Sequence, residues 1–92
     1  MTPEKRVKVK VCHKLKEMGA YYFYASTGGY GNSGVPDFLC CVNGRFLAIE
    51  AKAGKGIPTA LQEKNLRDIK AAGGIALVVN ETNIEELKTW LK

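Results

Sequence analysis

The chain has 92 residues, 46% of them hydrophobic, with 14 Lys and Arg against 9 Asp and Glu for a formal charge of +5. This length suits one domain, residues 1–92, and the apolar share excludes a disordered chain. No apolar run approaches the roughly 18 residues of a membrane span, and the first residues lack a signal-peptide core, so a cytosolic protein, in whatever cell or infected cell makes it, is expected.

Thr2-Pro3-Glu4 opens a helix, with Thr as cap, Pro at the first helical position and an acid in the first turn. Val7, Val11, Leu15 and Met18 follow at helical spacing up to Gly19, although Val7, Val9 and Val11 also alternate as a strand would. The cap and the later Leu15 and Met18 favour helix. Lys5, Arg6, Lys8, Lys10, Lys14 and Lys16 make the segment basic, which suits a solvated face or a contact with nucleic-acid phosphates.

Ala20 to Ala25 is aromatic and strand-like, with two of its four aromatics expected in the core. Ser26 to Pro36, rich in glycine, reads as a mobile loop; it lacks the Gly-Lys-Ser/Thr ending of a phosphate-binding loop. Asp37–Val42 and Arg45–Lys52 form a hairpin around Asn43-Gly44, a pair that tolerates the positive φ angles of a two-residue turn. Both hairpin faces are largely apolar, so a sheet covered on both sides is expected. After a second glycine-containing loop, Thr59 caps a helix to about Ala72, closed by Gly73-Gly74. Ile75–Val79 is a short buried strand, expected to lie parallel to Arg45–Lys52. Thr82 with Glu85 resembles a capping box for a last helix striped by Ile84, Leu87 and Leu91. The order is α-β-β-β-α-β-α.

The hairpin carries the chemistry. If Asn43 and Gly44 are the turn, facing residues have numbers that sum to 87, and Asp37 lies opposite Glu50. Two facing carboxylates repel, so folding alone gives no reason for them. A divalent cation, Mg²⁺ or Mn²⁺, between Asp37 and Glu50 turns repulsion into coordination, with the carbonyl of Ala51 as a further ligand. Lys52 shares the face of Glu50 by the strand period of two and would neutralise charge growing on a phosphate or orient a water. Gln62 serves equally well as the partner of Thr59 in a capping box or as a group touching water or phosphate. Glu4, on the apolar stripe of its helix, suits the helix dipole or a place as an additional metal ligand. Lys5, Lys8, Tyr30, Ser33, Gly34 and Lys55 are the candidate nucleic-acid contacts. Cys12, Cys40 and Cys41, with His13 the single histidine, offer no zinc-ligand spacing and are expected as reduced thiols. One histidine and no partner set also exclude Ser/His/Asp and Cys/His catalysis.

Gly34-Val35-Pro36-Asp37, Glu50-Ala51-Lys52, Gly56, Gln62 and Gly73-Gly74, in that order, resemble the VRR-NUC (virus-type replication-repair nuclease) family of the PD-(D/E)XK nuclease superfamily, over roughly residues 4–79. The resemblance implies an α/β, restriction-endonuclease-like αβββαβ core, with a mixed four-stranded sheet flanked by helices and here followed by a C-terminal helix. It also implies Mg²⁺- or Mn²⁺-dependent hydrolysis of phosphodiester bonds. The family's motif acids match Asp37 and Glu50, its lysine Lys52, its glutamine Gln62 and its helix-1 acid Glu4. Small phage-encoded members resemble Holliday-junction resolvases and act as homodimers, so the expected function is a structure-selective DNA endonuclease cutting four-way junctions. The alternatives are a nuclease acting on flaps or duplex ends and a non-catalytic DNA-binding module.

Overall fold

The structure is a computed structural model; it describes residues 1–25 and 34–91, with residues 90 and 91 by their backbone alone. Tyr30 and Ser33 of the glycine loop lie outside the described residues, as does the side chain of Leu91. Helix α1 (Pro3–Glu17) starts where expected: the Thr2 hydroxyl accepts the Lys5 N–H at 3.2 Å and Pro3 occupies the first turn. Val7, Val11 and Leu15 are its buried stripe, so the helical period prevails over the alternating valines.

The sheet comprises β1 (Tyr21–Tyr24), β2 (Phe38–Val42), β3 (Arg45–Ala51) and β4 (Ile75–Val79), side by side in that order. β1 pairs antiparallel with β2, β2 antiparallel with β3, and β3 parallel with β4. Asn43 (φ 51°) and Gly44 (φ 77°) make the hairpin turn, and the pairs Phe38 with Ile49 and Val42 with Arg45 give the expected register. Between β3 and β4 runs α2 (Ala60–Ala71).

One face of the sheet holds the core: Phe38, Cys40 and Val42 of β2, Leu47, Ile49 and Ala51 of β3, and Val79 of β4 pack with Val7, Val11 and Leu15 of α1 and with Ile84 and Leu87. The opposite face is only half covered. Helix α2 packs on β4, whereas Tyr21, Phe23 and Phe46 stay exposed, at 83%, 65% and 47%. Among the described residues the expected cover on both sides thus fails over these rings of β1 and β3, because the 12-residue α2 packs on β4. Of the aromatic strand, Tyr22 turns inward and meets Phe38 edge-on at 6.1 Å. Among the described residues all three cysteines are free thiols, Cys40 buried and Cys41 exposed.

The last helix departs from expectation. Ile84–Leu91 is a 3₁₀ helix, and Thr82 does not start it with a capping box. Asn80 Oδ1 accepts from the Thr82 hydroxyl (2.6 Å) and from the Thr82 and Asn83 N–H groups, while Asn83 Oδ1 accepts the Asn80 N–H (2.8 Å). Glu85, the other half of the expected box, pairs instead with Lys14 of α1 at 2.7 Å. Ile84 and Leu87, three apart, still share one buried side because a 3₁₀ turn has three residues. No described helix is long and apolar enough to cross a membrane.

Candidate active site

Past the N-terminal end of β2 the chain is pinned from both sides. Pro36 is buried, and the Asp37 carbonyl accepts the Ala25 N–H at 2.7 Å. The Asp37 carboxylate crosses to β3, where Oδ2 accepts the Ala51 N–H at 2.8 Å. A side chain thereby extends the ladder beyond the last backbone pair of β2 and β3, and it seats Asp37 beside Glu50. The contact that Ala51 makes here is through its amide.

Glu50 is the buried polar residue of the sheet, 3% exposed. Its Oε2 accepts Gln62 Nε2 at 3.2 Å and lies 3.5 Å from Lys52 Nζ. Its Oε1 is buried without a hydrogen-bond partner among the described residues. Burial, and then the charge of Asp37, raise the Glu50 pKa from an ordinary 4.5 to about 7, against the pull of Lys52. Protein interiors rarely leave a carboxylate oxygen unpaired, since an unsatisfied buried polar group costs about 1–3 kcal/mol.

Gln62 plays both of its possible parts at once. Its Oε1 accepts the Thr59 N–H at 2.8 Å in a capping box, and its Nε2 reaches Glu50. Locking one end of the amide to the cap orients the other end at the acid. Gly34 sets where that helix start sits. Its φ is +90°, and a Cβ there would lie 2.7 Å from Leu61 Cγ and 3.0 Å from the Leu61 carbonyl carbon. Gly34 therefore lets the segment leading to Asp37 touch the first turn of α2, one residue from Gln62.

Glu4, read from sequence as a helix-dipole acid or an additional metal ligand, lies near two ammonium groups: Lys8 Nζ at 3.6 Å and Lys52 Nζ at 4.0 Å. Among the described residues no three acidic, thiol or imidazole groups gather around a metal position. Lys8, read from sequence as a DNA contact, lies 3.6 Å from Asp37 Oδ1 and 5.9 Å from the centre of the Tyr24 ring. Burial opposes its charge, but Asp37, Tyr24 and Glu4 outweigh that and hold its pKa above the ordinary lysine value. Sequence spacing gave no sign of this bridge, because it depends on how α1 crosses the end of the sheet. Lys55 stands apart on an exposed turn, whose Gly54 N–H is held by Glu81 at 2.6 Å.

Two carboxylates, one with a buried free oxygen, are hard oxygen donors of the kind that Mg²⁺ or Mn²⁺ takes, so the residues fit such an ion. A concavity of about 480 Å³ lies elsewhere, at the Phe46 and Gly74 end of the sheet. Its one acid, Asp68, is paired with Lys64 at 2.8 Å, so that hollow offers no comparable chemistry.

No protein-family model and no curated protein matches the chain. Among solved structures it is similar to a VRR_NUC domain, with a TM-score of 0.80 at 21% identity over 97% of both chains. It is also similar to the Archaeoglobus fulgidus Hjc, a Holliday junction resolvase from an archaeal hyperthermophile, with a TM-score of 0.62 at 22% identity over 83% of this chain and 65% of that one. The element order, the mixed sheet and these two likenesses agree: the chain has a restriction-endonuclease-like αβββαβ fold, the fold of the VRR_NUC domain it resembles.

Proposed function

We propose that the protein is a Mg²⁺- or Mn²⁺-dependent DNA endonuclease that selects branched structure, acts as a homodimer on four-way junctions and works in a bacterial or phage-infected cytosol. The observation that carries the reading is Glu50 Oε1, buried beside Asp37 with no hydrogen-bond partner among the described residues, and with Lys52 within 3.5 Å of the same carboxylate. Asp37, Glu50 Oε1 and the Ala51 carbonyl would hold the metal. When bound, the ion supplies Lewis-acid polarisation of the scissile phosphate and lowers the pKa of the attacking water. Lys52 neutralises charge that grows on the phosphoryl oxygens, and Gln62 keeps Glu50 aimed. The positive net charge favours a polyanion, and Lys5 and Lys55, both exposed, are placed to meet phosphates. Tyr30, Ser33 and Gly34 are further candidate contacts from the sequence.

Support for a dimer comes from the uncovered sheet face, where Tyr21, Phe23 and Phe46 leave apolar surface in water. Support for junctions comes from the likeness to the Archaeoglobus resolvase. The test is a cleavage panel of four-way junction, flap and linear duplex with Mg²⁺, alongside mass in solution. Paired nicks on the junction by a dimer are expected, with Asp37→Ala binding DNA but not cutting it. Preferential cutting of flaps or duplex ends would select the second reading. Absence of cutting on every substrate, or full activity in Asp37→Ala, would overturn the catalytic assignment.

A further inference from the structure

A smaller hollow opens between α1 and β1, about 140 Å³, lined by Lys5, Lys8, Val9, Cys12, Tyr24 and Phe38. Its walls are the aliphatic and aromatic parts of Val9, Cys12, Tyr24 and Phe38; Lys5 and Lys8 line it too, the Lys8 ammonium 5.9 Å from the centre of the Tyr24 ring. Tyr24 and Val9 are left 43% and 38% exposed, so the core does not use their outer surfaces. The Tyr24 ring leans on the fully buried Phe38, with centroids 5.2 Å apart, which fixes its plane, and with the Lys8 ammonium 5.9 Å from its centre it still keeps 43% of its surface exposed. Lys8 joins this hollow to the candidate active site, since its ammonium lies both over the Tyr24 ring and 3.6 Å from Asp37.

An apolar slot with one fixed aromatic ring, flanked by cations, matches one chemical class: a nucleotide whose base is free to stack and whose phosphates are close by. We propose that this hollow is a base subsite, in which a nucleobase turned out of its stack beside the scissile phosphate lies on Tyr24 while Lys5 holds the neighbouring phosphate. The proposal rests on the nuclease reading above and deepens it. A base inside intact duplex has both faces covered by its neighbours and cannot present one to Tyr24 without paying to unstack. A base at a branch point, flap or single strand presents its face at little cost. The subsite would therefore select branched or unpaired DNA, and its apolar wall would make it indifferent to which base it holds.

The test compares wild type, Tyr24→Ala and Tyr24→Phe on branched substrates in which each nucleotide flanking the cut is made abasic in turn. Binding is measured without divalent metal and cleavage with Mg²⁺. Stacking on an aromatic side chain is worth roughly five- to 150-fold in affinity per base, so about ten-fold is expected here. One abasic position should cost wild type that factor, and Tyr24→Ala should lose the same factor on intact DNA and nothing further on that abasic substrate. Tyr24→Phe, which keeps the ring, should behave as wild type. Losses that simply multiply at every position, or a Tyr24→Ala that binds as well as wild type, would overturn the base subsite while leaving the nuclease reading in place. A wild-type protein that binds and cuts no DNA would overturn both.

Discussion

Replacing Glu50 by Gln keeps the side chain's shape and removes its charge. Folded Glu50 holds its proton up to about pH 7, whereas in the unfolded chain it releases it near 4.5. Between those values the folded state binds more protons, so this group's contribution to stability is complete below pH 4.5, falls as pH rises to about 7 and is level above. At 1.36 kcal/mol per pH unit, the metal-free protein should be about 3 kcal/mol less stable at pH 8 than it would be with a neutral side chain at position 50. Glu50→Gln should recover most of that amount at pH 8 and change little at pH 4.5. Glu85, whose pKa Lys14 holds down, contributes only in the acid range below this window and does not confuse it. Urea denaturation of both proteins at pH 5 and pH 8, without divalent metal, measures the effect. Added Mg²⁺ or Mn²⁺ should stabilise wild type at pH 8 and leave Glu50→Gln unmoved, because a ligand stabilises only the state that binds it. The reasoning is refuted if Glu50→Gln is no more stable than wild type at pH 8, or if its stability keeps the wild-type slope between pH 5 and 7.

Gln62→Ala removes one arm of the capping box and the donor to Glu50; a loss of about 1 kcal/mol in stability is expected by thermal melting, with a larger fall in kcat than in substrate affinity. Gly34→Ala places a methyl 2.7 Å from Leu61 Cγ at a positive φ, so about 1–3 kcal/mol of destabilisation is expected. Its loss of cleavage should be largely absent when measured in the Gln62→Ala background, since both act through the same amide. Phe23→Glu, on the exposed strand β1, should leave the melting temperature nearly unchanged and convert a dimer to monomer in analytical ultracentrifugation; an unaltered dimer would remove this face from the interface.

How much of this was readable from residues alone varied with the range of the interaction. Asn43-Gly44 fixed the hairpin, and with it the pairing of Phe38 with Ile49 and the approach of Asp37 to Glu50, because a turn of two residues leaves one register. Thr2 and Thr59 announced two helix starts through contacts only three residues long. The bond from Ala51 N–H to the Asp37 carboxylate had no such local sign, for it joins a side chain to a backbone amide across the end of a strand. The apolar stripe of α1 points Glu4 toward the sheet, but the pairing of Lys8 with Asp37 has no mark in the spacing, since it depends on the path of α1 over the sheet. Thr82 and Glu85 have the spacing of a cap, but Asn80 takes the Thr82 hydroxyl and Lys14 takes the Glu85 carboxylate, so the last helix starts without one.

The central claim is that Asp37 and Glu50 hold one divalent cation. Anomalous diffraction from a crystal soaked in Mn²⁺ tests it directly. A single strong peak is expected in coordination range of Glu50 Oε1 and Asp37, and it should be lost in Asp37→Ala. Manganese bound elsewhere, or not at all, with Glu50 still turned to Gln62 and Asp37 still on the Ala51 amide, would contradict it.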